Sequence, residues 1–380
     1  MKVAIVHDWL VTYAGSERVL EQLLLVFPDA DLYSIVDFLP GHEREFLRSR
    51  FVHTSFIQRL PFAKRGFRWY LNLMPLAVEQ LDLSGYDLVL SSSHAVAKGV
   101  ITGPDQLHVS YVHSPLRYAW DQQVQYLREH SLSRGPRSWV LRLLLHWLRI
   151  WDVRTAPGVD HFLANSRFVA RRIRKVYRRE ARVIHPPVNT DAFQLQPDKK
   201  PYFLAASRLV PYKRVDLIVE AFSKMPERRL IVIGDGPERK RIESLAGPNV
   251  SILGYQPPET LQHHMRLASA FIFAAEEDFG ILPVEAQACG TPVIAYGRGG
   301  ILDSVVNLGQ KDPTGILFTE QSIVSLIDAI SIFEDHRDAF LPNVIRQNAL
   351  RFGEERFRKE ISDFVSKRYH EFKASFDDNR

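Results

Sequence analysis

The sequence predicts an α/β protein made of two doubly wound domains. Short β-branched runs alternate with amphipathic helical segments, and this alternation starts again near the middle of the chain. Such alternation indicates parallel sheets that are covered by helices on both faces. The length of 380 residues is also more than one ordinary hydrophobic core holds, and it suits two domains of common size.

The first half of the chain supplies the first predicted sheet. Four short runs rich in Val, Leu and Ile are predicted as strands: residues 3–6, 32–35, 88–91 and 108–112. Residues 16–27 are predicted as a helix, because apolar side chains recur there at helical spacing. The first apolar run is short and ends in His7 and Asp8, so it predicts a buried strand and not a signal peptide.

The second half repeats the pattern after Pro186-Pro187. Strands are predicted at residues 202–206, 229–234, 250–253, 270–274 and 292–295, and helices at 214–224, 282–289 and 354–373. The proline pair and the polar stretch 194–200 predict the linker. We therefore expect an N-terminal domain over 1–190, a C-terminal domain over 191–355, and a helix over 356–380 that packs back on the N-terminal domain.

Composition favours a cytoplasmic protein with an anionic partner. The formal net charge is +5, and the single cysteine, Cys289, allows no internal disulfide. The longest apolar candidate, residues 139–151, is interrupted by Arg142, His146 and Arg149, so no membrane-spanning helix is expected. Zinc-ligand spacing and RNA-binding aromatic motifs are absent from the sequence, so we expect neither a metal site nor a nucleic-acid partner.

The most informative motif is a pair of glutamates, Glu277 and Glu285, separated by Phe279-Gly280. Glu277 is expected in a loop that leaves a strand, and Glu285 in the first turn of the next helix. Gly280 lets a ligand approach the backbone, and the free amides at the helix N-terminus suit anionic or polar oxygens. The alternative is a helix whose first turn simply carries acidic residues.

Basic and glycine-containing turns follow other predicted strands. Arg208 and Lys213 lie in one strand-to-helix loop, where two cations can hold a diphosphate, although a solvated basic loop is the alternative. Gly15 follows the first strand and would let a phosphate reach helix amides, or it forms a tight turn. Gly234 opens half of a dinucleotide fingerprint, but Arg239 replaces its last glycine, which argues against a dehydrogenase.

One histidine stands where a ligand is expected. His113 directly follows the predicted strand 108–112, so it should face the carboxyl edge of its sheet. A histidine there can bind a sugar hydroxyl or move a proton, and a purely structural role is the alternative. Because ligands of doubly wound sheets bind at the carboxyl ends of the strands, we expect the two domains to face each other across a ligand-binding cleft.

Taken in order, these motifs resemble family 4 glycosyltransferases of the GT-B fold. The resemblance rests on Glu277 to Glu285 with its continuation to Ala295, on Ser207-Arg208-Leu209 with Lys213, on residues 234–237, and on residues 185–193. It covers nearly the whole chain. Residues 111–118 with Trp120-Asp121 are also similar to a bacterial subgroup that adds mannose during O-antigen or exopolysaccharide assembly. The Gly-Gly pair of many relatives is Ala14-Gly15 here, which weakens the expectation for Gly15.

The resemblance implies a role for each matching residue. The expected donor-binding residues are Gly15, Arg208 and Lys213 at the diphosphate, Gly234 near the base, Glu285 at the ribose, and Glu277 with the backbone of Phe279, Gly280 and Ile281 at the sugar. Glu277, His113, Arg208 and Lys213 are the residues expected closest to the chemistry. The family's reaction retains the anomeric configuration, needs no metal or other cofactor, and lets the leaving diphosphate accept the proton of the acceptor.

The acceptor is expected to be a lipid-linked saccharide at the inner face of the plasma membrane. Residues 167–182 hold eight basic residues and one acid among apolar positions, which predicts a basic amphipathic helix. Residues 139–151 and 62–74 add tryptophans among basic residues. Together these segments indicate peripheral contact with an anionic membrane. The alternative is an ordinary amphipathic helix with a solvated cationic face.

Several other functions stay open at this point. The donor could be a nucleotide sugar other than GDP-mannose, with a soluble acceptor. The protein could bind a nucleotide sugar without transferring it, although the intact set of Arg208, Lys213, Glu277 and Glu285 disfavours this. A nucleotide-sugar epimerase of the same fold fits the glutamate motif less well, and a DNA-binding function rests on net charge alone.

Overall fold

The computed structural model describes residues 1–124, 127 and 134–377, and it divides the chain into two compact units. The N-terminal unit contains Met1–His185 and the chain from Phe357 onward, and the C-terminal unit is Pro186–Arg356. The division thus falls at the proline pair. The polar stretch 194–200 is not a free linker, because its last residue already begins the first strand of the C-terminal unit.

The N-terminal unit is built on a seven-stranded sheet in the order β3-β2-β1-β4-β5-β6-β7, and all neighbouring strands are parallel. The strands are β1 Val3–His7, β2 Asp31–Ser34, β3 Val52–Thr54, β4 Leu88–Ser93, β5 Leu107–Val112, β6 His161–Ala164 and β7 Ala181–Val183. Within the described residues, the bounded α-helices of this unit before β7 are α1 Gly15–Val26, α2 Ala63–Gly66, α3 Met74–Glu79, α4 Pro136–Arg154 and α5 Arg167–Tyr177.

The C-terminal unit is built on a six-stranded parallel sheet in the order β10-β9-β8-β11-β12-β13. The strands are β8 Lys200–Ala206, β9 Leu230–Ile233, β10 Val250–Ile252, β11 Ala268–Phe273, β12 Val293–Tyr296 and β13 Gly315–Phe318. The helices that follow in sequence are α6 Val215–Ser223, α7 Arg239–Leu245, α8 Pro258–Leu267, α9 Ile281–Ala288, α10 Ile301–Ser304, α11 Ile323–Asp335, α12 Pro342–Leu350 and α13 Glu354–Asp377.

Strands with both faces covered explain why the central runs are almost wholly apolar. All six residues of β11 and all five of β1 are buried. α13 starts in the C-terminal unit and continues into the N-terminal one, where Phe357, Ile361 and Val365 are fully buried at helical spacing.

The chain reverses its direction of travel across each sheet at one place. In the N-terminal unit this switch lies between β1 and β4, and in the C-terminal unit it lies between β8 and β11. Doubly wound sheets bind ligands at the carboxyl ends of the strands that flank such a switch. The loops after β1, β4, β8 and β11 are therefore where binding groups are expected.

The structure corrects the prediction of one long helix over 167–182. Helix α5 ends at Tyr177, because Arg178 adopts a left-handed conformation with φ of 56°. The chain then forms β7, which pairs with β6. Strands β3, β6, β7 and β13, which lie at or next to the edges of their sheets, were not predicted.

Candidate functional site

An ion pair stands at the switch point of the C-terminal unit. Lys213 ends a short 3₁₀ helix, Pro211–Lys213, in the loop after β8, and its Nζ pairs with Oε1 of Glu277 in the loop after β11. Each side chain keeps 16% of its surface exposed. The structure thus brings together two residues that the sequence places 64 positions apart, 277 − 213, and it leaves both accessible to a ligand.

Two glycines that sequence analysis missed hold the Glu277 loop in place. The amide of Gly300 donates to the carbonyl oxygen of Glu277 at 2.8 Å. A Cβ on Gly299 would lie 2.3 Å from that same oxygen, and a Cβ on Gly300 would lie 2.1 Å from the oxygen of Asp278. Only glycine allows the two loops to approach this closely. The signal available in the sequence was the Gly-Arg-Gly-Gly string directly after β12.

Helix α9 presents its N-terminus beside this loop. Gly280 is its N-cap residue, with φ of 91°, a conformation that favours glycine. The ring of Phe279 is buried against Phe352 at 5.4 Å between centroids, so Phe279 can offer a ligand only its backbone. The amides of the first turn, which include Ile281, have no partner inside the helix. Backbone donors for an anionic or hydroxyl oxygen are therefore available next to Glu277.

Glu285 lies one residue further along α9 than predicted. It is the fifth residue of the helix and not part of the first turn, because α9 begins at Ile281. Its side chain is only 3% exposed. A carboxylate this deeply buried requires polar partners, and binding of ribose hydroxyls by Glu285 stays a prediction.

Arg208 and Gly234 lie in the loops after β8 and β9. Arg208 is exposed and forms no ion pair within the described part of the chain. A Cβ on Gly234 would lie 1.8 Å from the carbonyl oxygen of Ser207, and the amide of Leu209 donates to Asp235 at 2.9 Å. The close packing of the two loops therefore explains the glycine without a ligand. The expected contact of Gly234 with a base stays a prediction.

The N-terminal unit places His113 in a buried chain of hydrogen bonds at its own switch point. His113 follows β5, and its Nε2 lies 2.8 Å from Oγ of Ser92 in β4. That hydroxyl lies 3.1 Å from Nδ1 of His7 at the end of β1. Nε2 of His7 lies 3.4 Å from Oε1 of Glu17 in α1. Of these four residues the sequence predicted only His113, because the sheet order decides which residues of different strands and helices become neighbours.

Burial and hydrogen bonding set the pKa values of His113 and Glu17 in this network. Desolvation, helped by the neighbouring His94 and His7, lowers the pKa of His113 to about 3, so its ring is neutral near pH 7. Burial raises the pKa of Glu17, but its hydrogen bonds with His7 and Ser16 outweigh burial and lower that pKa to about 2. A neutral imidazole and an ionised carboxylate are thus held within one buried network.

Asp8 is a further buried acid, and its structural role was not predicted from the sequence. Its two carboxylate oxygens accept the amides of His94, Ala95, Val96 and Ala97 at 2.6 to 2.9 Å. Nδ1 of His94 lies 3.1 Å from the same carboxylate. Asp8 therefore fixes the loop that follows β4, next to Ser92. The position of Asp8 at the end of a buried strand was the only signal for this.

Gly15 is the first residue of α1. The preceding residue, Ala14, is the N-cap, and its amide donates to Oε2 of Glu17 at 3.0 Å. The loop after β1 therefore leads into a helix N-terminus, as the sequence predicts. Contact of Gly15 with a diphosphate stays a prediction.

The segments expected to touch a membrane differ in what they expose. In α5 the apolar residues Val169, Ile173 and Tyr177 are buried in the core of the N-terminal unit, so α5 is an ordinary amphipathic helix. In α4, by contrast, Trp139 is 76% exposed and Trp147 is 63% exposed. Of these two helices, α4 is therefore the one with an exposed apolar surface.

Neither a membrane-crossing helix nor a cluster of metal ligands is found in the described residues. No described helix combines the length and the apolar character that a bilayer requires. Among the same residues, no group of three or more His, Cys, Asp or Glu side chains is arranged to hold a metal ion.

Comparison with solved structures identifies the fold. A crystal structure of HepE from Anabaena in complex with UDP superimposes with a TM-score of 0.69 over 97% of this chain and 100% of that chain, at 17% identity. Sucrose-phosphate synthase from Thermosynechococcus elongatus superimposes with a TM-score of 0.72 over 97% of this chain and 100% of that chain, at 18% identity. Two parallel-sheet Rossmann-like domains of this kind define the GT-B fold, as predicted.

Comparison with family models identifies the family. A model described as Glycosyltransferase Family 4 matches residues 13–192, and a model described as Glycosyl transferases group 1 matches residues 189–351. The two matches together cover nearly the whole chain, which therefore belongs to the family 4 glycosyltransferases.

Curated relatives agree with this family over part of their length. A D-inositol 3-phosphate glycosyltransferase of Xylanimonas cellulosilytica is 29% identical over 237 residues, which is 54% of this chain and 56% of the relative. A GDP-mannose-dependent alpha-(1-6)-phosphatidylinositol monomannoside mannosyltransferase of Mycobacterium tuberculosis is 29% identical over 182 residues, 40% of this chain and 46% of the relative. The matches thus span about half the length of these relatives.

Proposed function

We propose that this protein is a retaining glycosyltransferase that uses a nucleotide-sugar donor. The observation that carries the proposal is the pairing of Lys213 with Glu277 at the switch point, beside the N-terminus of α9, in a chain of glycosyltransferase family 4. A cation, a carboxylate and free helix amides are the groups that a sugar diphosphate requires. The cation and the amides suit the phosphates, and the carboxylate suits sugar hydroxyls.

The proposed roles follow from the position of each group. Lys213 and the exposed Arg208 bind the diphosphate. Glu277 accepts hydrogen bonds from hydroxyls of the donor sugar, and the amides of Gly280 and Ile281 donate to donor oxygens. The buried Glu285 binds the ribose hydroxyls. In the N-terminal unit, the neutral ring of His113 binds a sugar hydroxyl.

The proposed reaction breaks the bond between the anomeric carbon and the diphosphate oxygen. Positive charge develops on the sugar and negative charge on the leaving diphosphate, and Lys213 and Arg208 stabilise that negative charge. The acceptor hydroxyl attacks from the face that the diphosphate leaves, and its proton passes to a diphosphate oxygen, so configuration is retained. Neither Glu277 nor Glu285 needs to act as a nucleophile, unlike the carboxylates of a retaining glycosidase.

We infer GDP-mannose as the donor and a lipid-linked saccharide of bacterial surface polysaccharide synthesis as the acceptor. The motif resemblance to bacterial mannosyltransferases supports the donor, and so does the GDP-mannose dependence named for the Mycobacterium tuberculosis relative. A UDP-sugar is the competing donor, because the Anabaena HepE structure holds UDP. The resemblance and an exposed apolar surface of the N-terminal unit support the lipid-linked acceptor.

A panel of nucleotide sugars tests the proposed donor. Thermal shift and release of nucleoside diphosphate are measured with GDP-mannose, UDP-glucose, UDP-galactose and UDP-N-acetylglucosamine. We expect the largest shift and the fastest release with GDP-mannose. Faster turnover of a UDP-sugar would contradict mannose but not transfer. A stabilising donor that is neither hydrolysed nor transferred to any acceptor would show a binding protein without catalysis.

The surface proposed to contact an anionic membrane is formed by α4 and the segment 56–78. Exposed apolar side chains project from both: Trp139, Val140, Leu143, Trp147 and Ile150 from α4, and Phe62, Trp69, Leu73 and Leu76 from the segment. Both pack on one core cluster that includes Met74 and Leu148, so they are neighbours in the fold. Such a concentration of exposed aromatic and aliphatic groups marks an interaction surface.

Charge indicates which partner this surface fits. The segment 56–78 contains no acidic residue, and the single acid of α4, Asp152, is fully buried. Exposed basic residues accompany the apolar ones, among them Lys64, Arg65, Arg68 and Arg137. The apolar side chains can enter the membrane interface, and the cations among them can bind lipid headgroups. This combination suits an anionic lipid surface.

Liposome flotation with matched variants tests this contact. The double variant Trp139→Ser and Trp147→Ser should lose binding to vesicles of phosphatidylglycerol, while Val324→Ser, which alters a C-terminal residue that is 68% exposed, should not. Binding should weaken at high salt, since part of it is electrostatic. Equal flotation of both variants, or no flotation of the wild type, would contradict the membrane contact.

A further inference from the structure

We propose that Glu17, His7 and Ser92 are positioning residues that hold the ring proton of His113 on Nε2, so that Nδ1 presents a lone pair to a sugar hydroxyl. The inference rests on the proposed function, since it assumes that His113 meets a sugar. It concerns which atom of His113 accepts and which donates. That property follows from the partners of each polar atom in the chain.

Glu17 sets which atoms donate and which accept in the hydrogen bonds that lead to His113. Its Oε2 already accepts the amide of Ala14 at 3.0 Å and the hydroxyl of Ser16 at 2.9 Å, and its Oε1 faces Nε2 of His7 at 3.4 Å. The pKa of Glu17 lies at about 2, because its hydrogen bond with His7 outweighs the opposing effect of burial. An ionised carboxylate can only accept, so Nε2 of His7 carries a proton.

The remaining hydrogen bonds then follow in one direction. The proposal takes His7 as neutral; with its proton on Nε2, its Nδ1 can only accept, so the hydroxyl of Ser92 donates to it at 3.1 Å. The oxygen of Ser92 is then free to accept, and Nε2 of His113 donates to it at 2.8 Å. Nδ1 of His113 is left without a proton, and it makes no hydrogen bond to any described residue.

His94 lies close to this chain but does not take part in it. Its ring centroid is 6.1 Å from that of His7 and 6.2 Å from that of His113. Its Nδ1 faces Asp8, whose carboxylate is already occupied by backbone amides. The chain from Glu17 to His113 therefore has no branch through His94.

The substitution Glu17→Gln is expected to reverse the donor and acceptor roles in every hydrogen bond from residue 17 to His113. The amide of Ala14 and the hydroxyl of Ser16 are donors, so the side-chain oxygen of Gln must take the place of Oε2 of Glu17. Its NH₂ group then faces Nε2 of His7 and donates to it. His7 must carry its proton on Nδ1 and donate to Ser92, which in turn donates to Nε2 of His113. His113 is left with its proton on Nδ1, where it donates instead of accepting.

Nitrogen NMR of the full chain labelled with ¹⁵N-histidine tests the proposal. The two-bond couplings between ring protons and nitrogens distinguish the two neutral tautomers, and the signal that disappears in His113→Gln identifies His113 among the 14 histidines. At a pH of about 8, where an unperturbed histidine is neutral, we expect the proton on Nε2 in wild type and on Nδ1 in Glu17→Gln. The matched control Glu21→Gln makes the same change one turn along α1 and should keep the wild-type tautomer.

Activity gives a second, independent readout. If a sugar hydroxyl donates to Nδ1 of His113, a proton on that nitrogen leaves two donors facing each other. Transfer by Glu17→Gln should then fall about 5- to 150-fold without a matching loss of melting temperature. A wild-type His113 with its proton on Nδ1, or the same tautomer in wild type and in Glu17→Gln, overturns the proposal. If Glu17→Gln does not fold, the wild-type spectrum decides alone. Absence of transfer in wild type would refute the proposed function, whereas the tautomer would still be read from the spectrum.

Discussion

Substitution of Lys213 by alanine separates a binding role from a structural one. Lys213 pairs with Glu277, and each side chain is 16% exposed, so the pair is partly desolvated but still reached by water. Removing the cation leaves the carboxylate of Glu277 able to bind water. The expected loss in the free energy of unfolding is therefore about 1 kcal/mol. A protein of ordinary stability, roughly 5–15 kcal/mol, stays folded after such a loss.

The expected loss of activity is much larger than this loss of stability. Lys213 is proposed to stabilise the negative charge that develops on the leaving diphosphate, and that charge is greater in the transition state than in the bound donor. Removing one such group costs about 2.7–4 kcal/mol, which corresponds to a 100- to 1000-fold lower turnover. A purely structural ion pair would lower turnover only as far as it lowers the folded fraction.

The assay is the release of nucleoside diphosphate under saturating donor, with melting temperature measured on the same preparations. Lys213→Arg keeps a cation and should retain part of the activity. Lys240→Ala removes an exposed lysine of α7 in the same unit and should leave turnover unchanged. Wild-type turnover by folded Lys213→Ala, or an equal loss in Lys240→Ala, would refute the role of Lys213.

Three further predictions concern binding, stability and pH. Glu285→Gln should raise the dissociation constant of the nucleoside diphosphate about 5- to 150-fold in calorimetry, because an amide replaces the carboxyl group that accepts from a ribose hydroxyl, and an unchanged constant would contradict this role. Asp152→Ala should lower the free energy of unfolding in urea by about 3–5 kcal/mol, since Lys98 Nζ lies 3.0 Å from Asp152 Oδ1 with both side chains buried, and a loss under 1 kcal/mol would contradict it. Burial lowers the pKa of His113 to about 3, while in the unfolded chain this histidine has the ordinary pKa of about 6.5. It should therefore reduce stability as pH falls below about 6.5. His113→Asn should show a shallower fall between pH values of about 7 and 4, and parallel curves would count against it.

The sequence predicted the architecture well because the central strands are long, apolar and separated by helices of clear period. It also predicted the loops that meet at the C-terminal switch point, since Arg208, Lys213 and Glu277 all follow recognisable strands. The assigned roles of these residues stay predictions. The position of Glu285 was wrong by one residue, because a helix that starts after a left-handed glycine gives no sharp boundary in the sequence.

Features that depend on tertiary contacts could not be predicted. Nothing in the sequence links Glu17, His7 and Ser92 to His113, because strand order decides which residues become neighbours. Helix α5 hides its apolar residues in the core, whereas α4 buries Leu145 and Leu148 and leaves further apolar residues exposed. Whether an apolar face is covered depends on what packs against it, and a local pattern does not contain that information.

The anomeric configuration of the released sugar tests the central claim of retaining transfer most directly. In the absence of an acceptor, water can replace the acceptor hydroxyl, and proton NMR follows the mannose that is released from GDP-α-mannose before it equilibrates. Retention with the diphosphate as the proton acceptor predicts that the α anomer appears first and that Lys213→Ala abolishes the signal. Initial appearance of the β anomer would contradict retention and would require a base that activates water on the opposite face of the sugar.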